Sequence, residues 1–215
     1  YQDTVTRGMV NILDDMGIES FLKIDSGCEE SGMLKQFPVK QMLEWATQRT
    51  PENGSIGAQI YGTKMRSIVK SVDMVRAILT QQFQLAETIC SYGLVPIIEP
   101  EVPIDHPEKA LIEQELYALL EKFLNEKKFK VILKLTPPDA PNLYHNLTVK
   151  HNVERVVFLS GGYSTEEACN RLGLNENVTA SFSRALSQDL YHSLTDEDFN
   201  AMISNNIKMI TEASK

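Results

Sequence analysis

Apolar residues recur along this chain with two alternating periods. Val5, Met9, Ile12, Leu13 and Met16 stand at helical spacing over 4–16, just before Gly17. Further helices are predicted over 38–47, 68–91, 108–126, 142–148, 165–172 and 195–214. Gly93 stops the helix over 68–91 as a C-terminal signal, and Thr195 opens the last with acids in its first turn. Between them lie short apolar runs that predict strands over 18–25, 56–63, 94–99, 129–135, 155–159 and 178–183. Strand, loop and helix in steady repetition give an α/β protein with a parallel sheet. The architecture is then an open doubly wound sheet or a (β/α)8 TIM barrel. Neither GxGxxG nor GxxxxGK[ST] follows any strand, so these two routes to nucleotide binding have no support.

One strand carries an anomaly. Lys134 interrupts the apolar run Val131, Ile132, Leu133, Leu135, which Pro137 and Pro138 close. A lysine inside such a run snorkels to solvent, or is paired or used chemically. Polar residues mark the ends of the other strands too: Lys23, Lys64 with Arg66, Glu99 with Glu101, Ser160 with Gly161 and Gly162, and Arg184. A barrel builds its site from the C-terminal ends of many strands, which favours the TIM barrel. Such a barrel needs eight strands and about 250 residues. With six strands in 215 residues and no initial methionine, the expectation is a barrel whose first one or two βα units lie outside this sequence.

Lys64, Glu99 and Lys134 come from consecutive predicted strands and therefore share one mouth. A salt-bridge layer would account for one lysine and one glutamate. It does not account for surplus cations beside a double-glycine loop. A lysine beside another cation in a desolvated site has a lowered pKa and attacks carbonyls as a free amine. Lys64 and Arg66 would supply that neighbouring charge, and Glu99 would shuttle the protons that carbinolamine formation and dehydration require. Ser160-Gly161-Gly162 and Arg184 follow the last two strands, where barrels commonly hold phosphate.

Composition narrows the partners. Net charge is −8 with no basic run, which argues against nucleic acid and anionic membranes but not against a small phosphorylated ligand. No stretch has the length and apolarity of a membrane span, and no signal peptide opens the chain. Cys28, Cys90 and Cys169 are widely spaced and form no CxxC pair, which fits a reducing cytoplasm. His106, His145, His151 and His192 lack metal-ligand spacing, so no metal site is expected.

Five motifs together resemble class I fructose-1,6-bisphosphate aldolase, in its compact bacterial-type branch. They are Gly62-Thr63-Lys64-Met65-Arg66-Ser67, the run from Gly93 to Glu101, Ile132-Leu133-Lys134-Leu135-Thr136, Phe158-Leu159-Ser160-Gly161-Gly162 and Ser181-Phe182-Ser183-Arg184-Ala185-Leu186. They occur in the family's order and cover nearly the whole chain. The resemblance implies one TIM-barrel domain over 1–215, holding strands three to eight and the C-terminal helix. It implies reversible, cofactor-free cleavage of fructose 1,6-bisphosphate to dihydroxyacetone phosphate and glyceraldehyde 3-phosphate. Lys134 would form the imine, Glu99 would act as acid and base, and Lys64 would assist proton transfer. Ser160, Gly161, Gly162 and Arg184 would hold the phosphate of the ketone half. Lys23 and Arg66 would hold the other phosphate, with Glu101 and Ser181 in support. The aspartate that the family carries on its first strand is not found here. A different Schiff-base lyase or transaldolase for a phosphorylated sugar, a truncated non-catalytic binding protein, and a homo-oligomer all stay open.

Overall fold

The computed structural model describes residues 8–48 and 60–214. The strands are β1 (Phe21–Lys23), β2 (Gly62–Ile68), β3 (Val95–Glu101), β4 (Val131–Leu135), β5 (Val153–Phe158) and β6 (Thr179–Ala180). The helices are α1 (Met9–Asp15), α2 (Val39–Thr47), α3 (Val75–Ser91), α4 (Lys109–Glu126), α5 (His145–Thr148), α6 (Thr165–Gly173) and α7 (Asp196–Ala213). All strands are parallel and lie in sequence order, β1 to β6, in one sheet. The result is a curled parallel half-barrel, which is the α/β class the hydrophobic pattern predicts.

Alternation along each strand separates two faces. Met65, Ile98, Leu133, Leu135, Val156 and Phe158 are buried in the hydrophobic core that the helices cover. α3 answers with Ile78, Leu79, Phe83, Ala86 and Ile89, the stripe its periodicity predicts, and Phe83 stacks on Phe123 of α4 at 4.9 Å. Gly93 adopts φ +77°, the left-handed turn that ends α3. Thr195 caps α7 by accepting the Asp198 N–H.

Several boundaries differ from those predicted. The second strand, expected over 56–63, is β2 from Gly62 to Ile68, so Lys64 and Arg66 lie inside it. Thr63, the expected last residue of the strand, and Ser67, expected beyond it, are both fully buried on its outer face. The part of that expected strand over 56–59, the turn over 51–55 and the start of the first helix lie outside the described residues. Ile68 ends a strand rather than opening a helix, and α3 begins only after a 3-10 turn at Val72–Met74. β6 is two residues long, because Ser181 to Arg184 leave the sheet and turn over the site. Among the described residues, no helix is long and apolar enough to cross a membrane.

The loop after β4 is fixed by a buried ion cluster. Lys109, 3% exposed, donates to Glu113, to the Pro137 carbonyl and to Asp139, and the Asp139 N–H donates to Glu113. The Lys109→Met change strands the Glu113 carboxylate in the interior and is expected to cost about 3–5 kcal/mol in denaturant unfolding. Adding Glu113→Leu removes the orphaned charge and should recover much of that loss.

Candidate active site

The inner faces of β2, β3 and β4 present Lys64 and Arg66, Glu99 and Glu101, and Lys134 toward one cavity of about 250 Å³. Arg66 and Glu99 are register partners, so the end of β2 delivers its cations against the acids of β3. Lys23 enters the same cavity from β1. Ser160 and Gly161 enter after β5, and Ser181, Ser183 and Arg184 after β6. Every residue named from the strand-end pattern therefore lines one space, except Gly162. That glycine holds the turn beside it at φ +114° and does not face the cavity.

Three groups form the centre. Glu99 is almost fully buried, with one carboxylate oxygen 3.3 Å from Lys134 Nζ and the other 3.1 Å from Lys64 Nζ. Lys134 is 7% exposed. Burial pushes its amine below the ordinary lysine range, Glu99 pulls it back up, and Lys64 pushes it down again. The centre thus combines an amine with reduced proton affinity and a carboxylate in reach of it. Attack on a carbonyl, followed by loss of water to an imine, needs both. Arg66 was expected beside Lys64 as a second neighbouring cation. Its guanidinium instead pairs with Glu101 at 3.1 Å, which leaves Lys64 as the cation against the centre.

The rim is cationic at both ends of the sheet. Lys23 Nζ lies 2.7 Å from Asp25 Oδ1. Asp25 Oδ1 also accepts the Gly27 N–H, and its Oδ2 accepts the Arg66 N–H. Asp25 is not among the residues that the strand-end pattern picks out, although its place two residues after Lys23 is a usable signal. Cys28, Leu159 and Ser183 also line the cavity and had no distinguishing sequence signal. At the far end, Arg184 is exposed and has no ion pair among the described residues. Gly161 sits at φ +60°, and a Cβ there would come within 2.8 Å of Ile104 and 3.1 Å of Leu159. Only glycine fits that turn, and its bare backbone leaves N–H groups open to an anion. No group of three or more His, Cys, Asp or Glu able to hold a metal occurs among the described residues.

No protein-family model matches the chain. Curated relatives do. The class 1 fructose-bisphosphate aldolase of Clostridium acetobutylicum is 42% identical over 207 residues, spanning 94% of this chain and 68% of its own length. That of Synechocystis sp. is 45% identical over 226 positions, spanning 100% and 73%. That of Porphyromonas gingivalis is 41% identical over 204 residues, spanning 92% and 67%. Among solved structures, the half-barrel matches the fructose-bisphosphate aldolase of Plasmodium falciparum, crystallised with TRAP and a small-molecule inhibitor. The TM-score is 0.69 at 20% identity, covering 95% of this chain and 69% of that one. The strand-end motifs, the half-barrel and relatives above 40% identity over most of their length agree, and the chain belongs to the class 1 fructose-bisphosphate aldolase family.

Proposed function

We propose that this chain carries the site for reversible, metal-independent cleavage of fructose 1,6-bisphosphate into dihydroxyacetone phosphate and glyceraldehyde 3-phosphate, a step of glycolysis and gluconeogenesis. The observation that carries this reading is the buried centre in which Glu99 contacts both Lys134 and Lys64. Glu99 takes a proton from the Lys134 ammonium, the freed amine attacks the ketone carbonyl, and Glu99 returns that proton so that the carbinolamine hydroxyl departs as water. The resulting iminium accepts the electron pair released when the bond between its α carbon and the hydroxyl-bearing β carbon breaks, giving an enamine and an aldehyde, so a protonated imine does the work of a Lewis acid. Loss of the neighbouring hydroxyl proton accompanies that break. The resemblance gives this step to a first-strand aspartate that is not found in this sequence. Lys64 keeps the iminium from being over-stabilised and helps return the proton to the enamine.

The two rims match a substrate with a phosphate at each end. Ser160, Gly161 and Arg184 take the phosphate of the ketone half, with Gly162 shaping the turn and Ser181 alongside. Lys23 and Arg66 take the other, held in place by Asp25 and Glu101. Two cationic ends favour a bisphosphate over the single phosphate that another Schiff-base lyase or transaldolase would need.

Closure of the fold is part of the same proposal. β1 and β6 are sheet edges, and the flanking elements expose Ile12, Met16, Phe199 and Ile207. Two further βα units would pair both edges and complete a (β/α)8 barrel in which residues 1–215 supply the last six strands. The intact mass of the natural protein should then exceed 24.2 kDa by roughly two such units of ≥ 30 residues each. A mass equal to that of this sequence would overturn closure.

Borohydride reduction in the presence of dihydroxyacetone phosphate should leave a covalent adduct on Lys134 in peptide mass spectrometry, and a chelator should leave cleavage unchanged. Absence of the adduct in a folded, complete protein would refute the mechanism. The rate of trapping should rise with pH around an inflection below the ordinary lysine value. Lys64 lowers that inflection, so Lys64→Met should move it to higher pH. Glu99 raises it, so Glu99→Gln should move it to lower pH. Shifts in the same direction for both variants would contradict the assignment.

A further inference from the structure

The spacing between Glu99 and Lys134 is not set by strand pairing. β3 and β4 pair at Ile97 with Ile132 and at Ile98 with Leu133, and the pairing goes no further. Glu99 and Lys134 are the next residue on each strand, just past the end of the ladder. Pro100 follows Glu99 and has no N–H to extend it. The Glu99–Lys134 contact therefore crosses between two strands at a point where their own pairing no longer holds them in register, although β3 is still paired with β2 there.

Side chains take over at that point. Gln82 of α3 is fully buried in the apolar stripe and does not line the cavity. Its Oε1 accepts the Glu99 N–H at 2.9 Å, and its Nε2 donates to the Glu99 carbonyl at 3.2 Å and to Ser67 Oγ at 2.9 Å. One carboxamide thereby grips both backbone groups of Glu99 and ties them to β2, the strand that carries Lys64. Only a carboxamide offers acceptor and donors side by side in this way. Two residues further on, Thr136 Oγ1 donates to the Val102 carbonyl and accepts the Val102 N–H, which joins the ends of β3 and β4.

We infer that Gln82 is a positioning residue: from outside the cavity it fixes the backbone of Glu99 and so sets the contact between that carboxylate and Lys134. This rests on the proposed part of Glu99 in proton transfer for its catalytic consequence, but not for the geometry itself. A buried glutamine in this stripe is costly unless all its polar atoms are satisfied, and here they are satisfied by Glu99 and Ser67.

The test uses the full-length protein and reads the ionisation of Lys134 without any substrate. Competitive labelling with acetic anhydride across a pH series, followed by peptide mass spectrometry, gives that ionisation in each variant. Gln82→Met should move it to lower pH, as Glu99→Gln does, because Glu99 no longer holds its place beside the amine. Ile89→Ala, which opens a cavity in the same helix away from the site, should leave it unmoved although it destabilises the fold. In turnover, Gln82→Met should lower kcat by up to about 100-fold with KM little changed, the signature of displaced machinery rather than lost binding. If Gln82→Met does not fold, Gln82→Asn keeps an amide in the site but is one carbon too short for both contacts, and it should shift Lys134 the same way. A Lys134 ionisation identical to wild type in the folded variant, or an equal shift in Ile89→Ala, overturns the inference. Failure of the Schiff-base reading would show separately, as a wild-type protein that forms no borohydride adduct.

Discussion

Glu99, itself almost fully buried, has to neutralise two ammonium groups at once. Taking such ions out of water costs several kcal/mol each, and their attraction repays this only when the geometry is good. The carboxylate lies between Lys64 and Lys134, about 3 Å from each. Neither lysine receives a full counter-charge. Lys134, the more buried of the two, gives up its proton more readily than a free lysine would, first because burial penalises its charge and then because Lys64 repels it. The fold's task is to hold this arrangement against its own electrostatic cost.

The support comes from two directions. From beneath, the apolar layer between sheet and helices fixes β2, β3 and β4 through Met65, Ile98 and Leu133, which alternate with the charged residues on the opposite face. From the side, polar groups are themselves pinned: Asp25 orients Lys23, Glu101 holds Arg66, and Lys109 fixes the loop after β4. Arg184 stands outside this scheme. It has no carboxylate partner among the described residues, so its charge is not offset by the fold there.

Much of this could be read from the amino-acid sequence, for an identifiable reason. Lys134 inside an apolar run and Glu99 after Val95-Pro96-Ile97-Ile98 break the period-two pattern where chemistry demands it. Such violations stand out because the rest of the strand obeys the rule. Residues that obey a different rule were hidden. The polar run Lys64 to Ser67 reads as a strand end, which puts the expected end of β2 too early, but Ser67 is a small polar group buried against Gln82 of α3. Gln82 sits in a helix where glutamine is ordinary, and only coordinates reveal that it faces inward onto a strand end. The extent of β6 was overestimated because Ser181 to Arg184 continue an extended run in sequence while leaving the sheet in space.

Strand order in the sheet follows strand order in the chain, and this has a consequence for how such a protein can change. The buried lysine–glutamate–lysine centre is made by three consecutive strands, whereas the two cationic rims sit on β1 and β2 at one end and on the loops after β5 and β6 at the other. Chemistry and ligand handles are therefore carried by largely different βα units. A substitution in an outer loop can re-size or re-charge one rim, and so admit a sugar phosphate of another length, without disturbing the shared carboxylate. An alteration in the central units has no such freedom, because it meets the electrostatic balance directly. Lineages with this architecture are thus expected to diversify from the edges of the sheet inward, with the middle strands the last to vary.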